Sequence, residues 1–191
     1  MQIEDAVRAL ILHTGDDPDR AGLRGTPSRV ESAYAEWFSG YGADIPGILE
    51  TTFKDECKSV GVESFSGLIL LKDYPLTSTC EHHMCPFTGT ADVGYLPAEG
   101  KGVVGLSKLG RLVDVYARRL QVQERIAAQV VDALETYLQP RGTIVRLTAT
   151  HHCMTTRGVG AHSAVTTTIL TTGELRDNPL RAQEAMVALN G

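Results

Sequence analysis

The sequence predicts an α+β protein whose antiparallel sheet carries helices on one face. Segments with helical spacing of apolar residues alternate with segments rich in Thr and Val, in the order two helices, two strands, two helices, two strands and one helix. The chain has 191 residues, of which 42% are hydrophobic, and this is enough for one core and a small helical appendage. We therefore expect an N-terminal helical region at residues 1–60 and the main domain at residues 61–191.

The N-terminal region is expected to form two helices. Apolar residues recur at helical spacing over residues 2–13, and a turn rich in Gly and Asp ends this pattern. A second helix is predicted to begin with Thr26 as its N-cap and Pro27 as its first residue, and to stop at Ser39. The following residues, 41–60, show little periodicity and are expected to form a long connection.

The main domain is expected to hold four strands and three helices. The segment around Cys80, between the first two strands, is expected to be a loop. Ser107 is the predicted N-cap of the first helix of this domain. In chain order, the predicted elements are strands at 63–72 and 88–96, helices from Ser107 to Leu120 and from Val122 to Pro140, strands at 143–153 and 163–172, and a helix from Asp177 to Leu189.

Composition and charge argue against several classes of protein, namely membrane-spanning, secreted and general nucleic-acid-binding proteins. No apolar run approaches the ~20 residues of a membrane span, and the first residues lack the basic and apolar stretches of a signal peptide. We therefore expect a cytoplasmic protein without membrane contact. The net charge of −5 argues against a general nucleic-acid binder, because such proteins need a broad basic surface.

Two clusters of cysteine and histidine predict a metal site. Cys80 and His83 have Cys-x-x-His spacing, and Cys153 ends a later His-His-Cys cluster. Zinc prefers thiolate and imidazole ligands, and a catalytic zinc keeps one position open for water. We expect these three residues to hold one catalytic zinc ion, whereas Cys57 and Cys85 are interpreted as buried free thiols.

Strand periodicity separates the remaining histidines. On a strand that runs through residue 153, His151 shares the face of Cys153 and His152 points to the other side. His82 and His151 would then lie beside the metal, free for proton transfer. Two alternatives stay open: a closed structural site with His82 or His151 as fourth ligand, and a disulfide between Cys80 and Cys153.

Three cations stand in the first turns of predicted helices, where they oppose the helix dipole: Arg29, Lys108 and Arg111. Such residues are either ordinary surface cations or part of an anion site at the helix start. For Arg29, the sequence alone favours the surface interpretation.

Four segments form a pattern that can be compared with known families. They read Ser-Thr-Cys-Glu-His-His at 78–83, Gly-Leu-Ser-Lys-Leu at 105–109, Arg-Arg-Leu-Gln-Val-Gln-Glu-Arg at 118–125 and His-His-Cys-Met-Thr-Thr-Arg-Gly at 151–158. Together these segments resemble GTP cyclohydrolase I. They follow the order and spacing of that family, and the resemblance covers about residues 26 to 188. It implies a tunnelling fold (ββααββ) and a decamer of two stacked pentamers with active sites at subunit interfaces.

The resemblance also implies a reaction and a set of residue roles. GTP would be hydrolysed at C8 and rearranged to 7,8-dihydroneopterin 3'-triphosphate and formate, with zinc as cofactor. The implied roles are proton transfer for His82 and His151, catalysis and substrate binding for Ser107, purine recognition for Glu124, Gln123 and the Leu106 backbone, and triphosphate binding for Lys108, Arg111, Arg157 and Arg29. Departures from the family pattern occur at His152 and Cys85, and neither is a matched site residue.

Two other functions are weighed against this one. The chain could be a structural zinc module without turnover, or a related tunnelling-fold enzyme acting on another pterin or on a deazaguanine. The sequence does not choose among folate, tetrahydrobiopterin and deazaguanine synthesis, since all three begin with this reaction.

Overall fold

The computed structural model of the chain describes residues 2–50, 52–53 and 65–191. The chain divides into two compact units, one running to Ser39 and the other beginning at Gly40. The predicted boundary between residues 60 and 61 lies outside the described residues, as does Cys57. No helix in the described ranges is both long and apolar enough to cross a membrane.

The first unit is a pair of packed helices, α1 (Ile3–His13) and α2 (Thr26–Trp37). Both helices were expected from their apolar spacing. The predicted cap of α2 is wrong by one residue, because Gly25 is the N-cap and Thr26 is already helical. The Thr26 hydroxyl accepts a hydrogen bond from the Arg29 guanidinium at 2.9 Å and caps no backbone N–H.

The second unit is built on a five-stranded sheet with the order β5-β2-β3-β6-β7. Neighbouring strands are antiparallel, except that β5 runs parallel to the end of β2. Its elements are a short 3-10 helix at Ser39–Gly42, α3 (Ile45–Leu49), β1 (Thr52–Phe53), β2 (Ile69–Cys80), β3 (Cys85–Leu96), β4 (Val103–Val104), α4 (Leu106–Ala117), β5 (Leu120–Gln121), α5 (Gln123–Leu138), β6 (Gly142–His151), α6 (His152–Thr155), β7 (Thr166–Thr171), α7 (Gly173–Asp177) and α8 (Pro179–Asn190).

The two long helices, α4 and α5, pack against this sheet and enclose the main core. Each helix buries an apolar stripe, which is the pattern that the sequence shows at a spacing of three and four residues. The fully buried members of the stripes are Leu109, Leu112 and Val113 on α4, and Ile126, Val130 and Leu134 on α5. The predicted α+β class with a ββααββ core order is confirmed.

The strand before the Cys80–Cys85 turn begins and ends later than predicted, because residues 65–68 of the predicted strand lie outside β2. Residues 63–64 of the predicted strand lie outside the described part of the chain, and β2 continues from Ile69 as far as Cys80. The expectation of a loop around Cys80 is therefore wrong for the residues up to Cys80 itself. Regular pairing with β3 extends the strand, and the last pair joins Cys80 to Cys85.

The helix after β4 also begins differently from the prediction. Gly105 is the N-cap of α4, and Ser107 is the second helical residue without a capping hydrogen bond. The helix ends at Ala117, because Leu120 turns into β5 and pairs with Thr79 of β2. The expected N-cap role of Ser107 is thus wrong.

The segment after β6 corrects the strand argument for Cys153. The strand ends at His151, and Cys153 lies in α6, a single helical turn. Alternation along a strand therefore cannot place His152 and Cys153 on opposite faces. The expected terminal helix is confirmed as α8, whose N-cap Asn178 accepts hydrogen bonds from two backbone N–H groups, whereas α7 was not expected.

Two hydrogen bonds fix α4 along β2. Tyr74 donates its hydroxyl hydrogen to Asp114 at 2.7 Å, and Ser78 donates to the Ala117 carbonyl at 2.6 Å. The helix approaches the strand so closely that a side chain at Gly110 would collide with the Tyr74 ring. The C-terminal end of α4 therefore lies beside the Cys80 end of β2.

Candidate active site

Three side chains from three local structures converge at the end of the β2–β3 hairpin. Cys80 is the last residue of β2, His83 lies in the hairpin turn, and Cys153 lies in α6. One ligand atom from each lies within 4.8 Å of the other two, so the three side chains form a group that could hold a metal ion. Within the described ranges this group has three members, and neither His82 nor His151 belongs to it.

The turn that carries His83 is held by its own backbone and by the neighbouring strand. Met84 donates its N–H to the Cys80 carbonyl at 2.8 Å, and Glu81 donates its N–H to the Gln121 carbonyl of β5 at 2.9 Å. The Glu81 carboxylate accepts two hydrogen bonds from the Arg125 guanidinium on α5, which lowers the pKa of Glu81. These contacts fix the turn between the sheet and α5.

The cysteines near the site are free thiols, so the alternative disulfide between Cys80 and Cys153 is not formed. Cys80 is 4% exposed and Cys153 is half-buried. Burial raises the pKa of the Cys153 thiol, and the adjacent Cys80 and Cys85 raise it further. A bound cation would reverse this preference, because metal ligation requires the thiolate.

His151 sits beside the ligand group in a defined orientation. Its ring stacks on Phe87, with centroids 4.5 Å apart and planes 7° apart. Its Nε2 atom lies 2.9 Å from Oε1 of Gln123. Burial lowers the pKa of His151, and the Glu124 carboxylate opposes this effect in part.

His82 and Arg157 are both exposed near His83. The rings of His82 and His83 are 6.5 Å apart and nearly perpendicular, at 88°. Arg157 approaches the same ligand, and its Nη1 atom donates to Nε2 of His83 at 3.1 Å. The structure thus brings two further sequence-predicted site residues to the edge of the ligand group.

The predicted residues of α4 lie far from this group in the same chain. Gly110 faces Tyr74, and Tyr74 is six residues before Cys80 on β2, which corresponds to roughly 20 Å along a strand. The start of α4 is therefore separated from the ligand group by most of the length of β2. The residues concerned are Leu106, Ser107, Lys108 and Arg111, and Leu106 is 57% exposed.

The other predicted substrate residues occupy different positions. Glu124 is exposed in the first turn of α5, next to the buried Gln123. Arg29 is exposed on α2 in the first unit, where it donates to the Thr26 hydroxyl.

A comparison with known protein families decides the classification. The model of the family described as GTP cyclohydrolase I matches residues 3–190. The chain belongs to the GTP cyclohydrolase I family. The observed ββααββ order and antiparallel sheet agree with the tunnelling fold expected from the sequence resemblance.

Curated members of the GTP cyclohydrolase I family match nearly the whole chain. GTP cyclohydrolase 1 of Mycobacterium marinum is 48% identical over 183 residues, covering 96% of this chain and 87% of that protein. The Streptomyces avermitilis protein of that name is 49% identical over 183 residues, with the same coverage. GTP cyclohydrolase 1 of Thermobifida fusca is 47% identical over 190 residues, covering 100% of this chain and 88% of that protein.

A solved structure, the archaeosine synthase QueF-Like in the apo form, is similar to this chain with a TM-score of 0.41 and 19% identity. The match covers 56% of this chain and 93% of that one.

Sequence reasoning missed two contacts of the candidate site. Phe87 stacks on His151, and Arg125 pairs with Glu81 in the turn between β2 and β3. Strand register would have revealed the first contact, because Phe87 is the cross-strand partner of His151. Arg125 stands one residue after Glu124 and so was present in the matched segment, but nothing local connects it with Glu81.

Proposed function

We propose that this chain catalyses the hydrolysis and ring rearrangement of GTP to 7,8-dihydroneopterin 3'-triphosphate and formate. This would make it a hydrolase of cyclic amidine C–N bonds and the first enzyme of a pterin or folate-type pathway. The observation that carries the proposal is the three-member ligand group of Cys80, His83 and Cys153 in a member of the GTP cyclohydrolase I family. A cytoplasmic location is part of the same proposal.

The ligand group suits zinc. Two thiolates and one imidazole form a common zinc donor set, with Zn–S distances of about 2.3 Å and Zn–N distances of about 2.0–2.1 Å. The three ligand atoms lie within 4.8 Å of one another, which is near the separations of about 3.5–4 Å that those bond lengths give at a tetrahedral ion. When bound, zinc supplies Lewis-acid chemistry and lowers the pKa of a water molecule to about 7.

Two histidines outside the ligand group are proposed to move protons. His82 is exposed beside His83, and His151 is held by Gln123 and Phe87. An imidazole can accept and return a proton near neutral pH, which hydrolysis and ring closure both require.

Purine recognition is assigned to the start of α5 and to Leu106. The exposed Glu124 carboxylate can accept hydrogen bonds from the adjacent N1–H and N2–H₂ groups of guanine, a pair that adenine lacks. Gln123 contributes through its main-chain N–H, which lies in the first helical turn and has no acceptor within the helix. Its side chain is committed to contacts inside the protein.

The triphosphate is proposed to meet cations and a helix start. Lys108 and Arg111 stand in the first turn and a half of α4, where backbone N–H groups also favour anions. Ser107 adds a hydroxyl that makes no capping bond and can donate to substrate. Arg157 at the metal group and Arg29 complete the proposed set.

These two halves of the site are proposed to come from neighbouring subunits. Since roughly 20 Å of β2 separates the start of α4 from the ligand group, one chain alone does not surround a single GTP molecule with both. We therefore propose a decamer of two pentamers with active sites at subunit interfaces.

A direct assay tests the function. Purified protein loaded with zinc is incubated with GTP, and the products are analysed for formate and, after oxidation, for a fluorescent pterin. We expect both products in equal amounts, and neither from ATP. Absence of both products from GTP would favour a structural zinc module, whereas turnover of another pterin or a deazaguanine alone would favour a related tunnelling-fold enzyme.

A further inference from the structure

The Gln123 side chain lies at the junction of α5, β6 and β7 and is 1% exposed. Its Nε2 atom donates to the Leu147 carbonyl at 2.9 Å and to the Thr166 carbonyl at 3.0 Å, with the Thr168 hydroxyl at 3.2 Å. Its Oε1 atom lies 2.9 Å from Nε2 of His151. Every polar atom of this buried amide therefore has a partner inside the protein.

These partners determine which way the amide faces. Backbone carbonyls only accept hydrogen bonds, so the atom that faces Leu147 and Thr166 must be the NH₂ group. The opposite atom is then the carbonyl oxygen, which only accepts. Since His151 faces that oxygen, its Nε2 atom must carry the hydrogen.

A second contact fixes the plane of the same ring. His151 stacks on Phe87 with an interplanar angle of 7°, and Phe87 is fully buried in β3. The stacking restricts tilting of the imidazole, and the hydrogen bond to Gln123 restricts its rotation. In the neutral ring, the hydrogen on Nε2 leaves the lone pair on Nδ1, which has no hydrogen-bond partner within the described part of the chain.

We propose that Gln123 is a positioning residue that holds His151 in the Nε2–H tautomer and so presents Nδ1 as the proton acceptor. This inference rests on the proposed function, in which His151 transfers protons. It assigns the Gln123 side chain to His151, and purine recognition to the main chain of Gln123 and to Glu124. A merely structural Gln123 would instead join α5 to the sheet and leave the tautomer of His151 unaffected.

The tautomer of the zinc-loaded wild-type protein provides the first test. Solid-state ¹⁵N NMR of protein labelled at histidine distinguishes protonated from unprotonated ring nitrogens, and a His151→Asn variant identifies the signals. At pH 8, above the usual histidine pKa of about 6.5, we expect Nε2 protonated and Nδ1 unprotonated. The reverse assignment would overturn the proposal, and this measurement requires neither turnover nor a Gln123 variant.

A pair of variants provides the second test. Gln123→Met keeps a similar volume but removes the acceptor, and we expect kcat to fall by about 10- to 100-fold with little change in KM. The ¹⁵N NMR signature of the Nε2–H tautomer, a protonated Nε2 with an unprotonated Nδ1, should be lost or mixed with the signals of the other tautomer. Thr168→Val is the matched control, because it removes one partner from the NH₂ end of Gln123 and leaves the bond to His151.

The control variant should keep both the wild-type signature and the wild-type kcat. A Gln123→Met protein that retains the Nε2–H signature would overturn the proposal, whether or not its kcat falls, since Gln123 would then not set the tautomer. If the wild-type protein does not turn over GTP but its His151 is the Nε2–H tautomer, the proposed function is refuted and the assignment of the hydrogen to Nε2 still holds.

Discussion

Two adjacent histidines in the turn after Cys80 occupy different surroundings, and this difference can separate metal binding from proton transfer. His83 contributes a ring nitrogen to the ligand group, whereas His82 lies outside it with its ring nearly perpendicular. The turn is closed by the Met84 N–H on the Cys80 carbonyl, which brings the third residue after Cys80 back toward its thiol. The Cys-x-x-His spacing therefore determines which of the two rings joins the ligand group.

Replacement of a thiol ligand tests the metal assignment. Cys153→Ser keeps the size of the side chain but removes a thiolate, so we expect zinc to fall from about one ion per chain to well below half. Helix and strand content should persist, because Cys153 lies half-buried in a single helical turn. Elemental analysis and circular dichroism measure the two quantities.

The matched control for this experiment is Cys85→Ser. Cys85 is also a free thiol, on the strand opposite Cys80, but it does not belong to the ligand group. We expect this variant to retain its zinc. Loss of zinc from Cys85→Ser, or full zinc in Cys153→Ser, would show that the ligand set is wrong.

Removal of the non-ligand histidine tests the division of roles. His82→Ala should lower kcat by about 10²- to 10⁴-fold, the usual contribution of a positioned acid or base, with zinc still bound. His13→Ala, on α1, should change neither quantity. Steady-state kinetics and metal analysis on the same preparations measure kcat and zinc content. Loss of zinc from His82→Ala would show that His82, rather than His83, is the metal ligand.

The ligand residues could be predicted more reliably than the reason for their convergence. Cys80 and His83 are close in sequence, so both can reach one ion from a single turn. Cys153 was predicted from its His-His-Cys cluster, and alternation along a strand served to separate His151 from His152. That strand ends at His151, and Cys153 lies in the helical turn that follows. Contacts set by strand register, such as Phe87 on His151, depend on pairing that no local pattern specifies.

At the scale of elements, the sheet could be predicted in type and order, but its strand ends could not. Burial alternates with the expected period of two from Val145 to Thr150 of β6, whereas the first residues of the strand are all buried. The end of β2 was predicted too early, because Pro75 and the polar residues after it are not typical of a strand. The second half of β2 nevertheless pairs with β3 as far as Cys80. Pairing between strands outweighs local propensity at such positions.

The contact between α4 and β2 has a pH dependence that can be measured. Burial, and then the hydrogen bond to Asp114, raise the pKa of Tyr74 to about 12. Because the folded-state pKa lies above the ordinary value of about 10, the folded chain holds this proton more tightly than the unfolded chain. The corresponding stability is complete below pH 10 and is lost as the pH rises toward 12.

Tyr74→Phe removes this contribution. We expect the variant to lose about 0.5–1.5 kcal/mol of unfolding free energy at pH 8, the usual worth of one hydrogen bond. Between pH 10 and 12 its stability should then fall less steeply than that of the wild type, as urea unfolding at several pH values would show. Tyr137→Phe, at an exposed tyrosine of α5, is the control, and parallel decline of wild type and Tyr74→Phe would contradict the assignment.

At the scale of the whole molecule, the distance between the two halves of the proposed site is the reason for proposing that neighbouring subunits share it. The ligand group lies at the Cys80 end of β2, and the cations of α4 lie near its other end. Sequence motifs identify both halves but contain no information on their separation, because that depends on how α4 runs along β2. In the proposed decamer, one chain would supply the ligand group and its neighbour would supply Lys108 and Arg111.

Mixed oligomers test this arrangement. Chains carrying His82→Ala are co-expressed with chains carrying both Lys108→Ala and Arg111→Ala, each of which is expected to be inactive alone. If sites form between neighbours, random mixing leaves about one quarter of them with an intact residue set from each side, and that fraction of activity returns. The control places all three substitutions on one chain and mixes it with wild type. If sites form between neighbours, this control again retains about one quarter of the wild-type activity. If each site lies within one chain, the control retains about one half of the activity and the first mixture retains none.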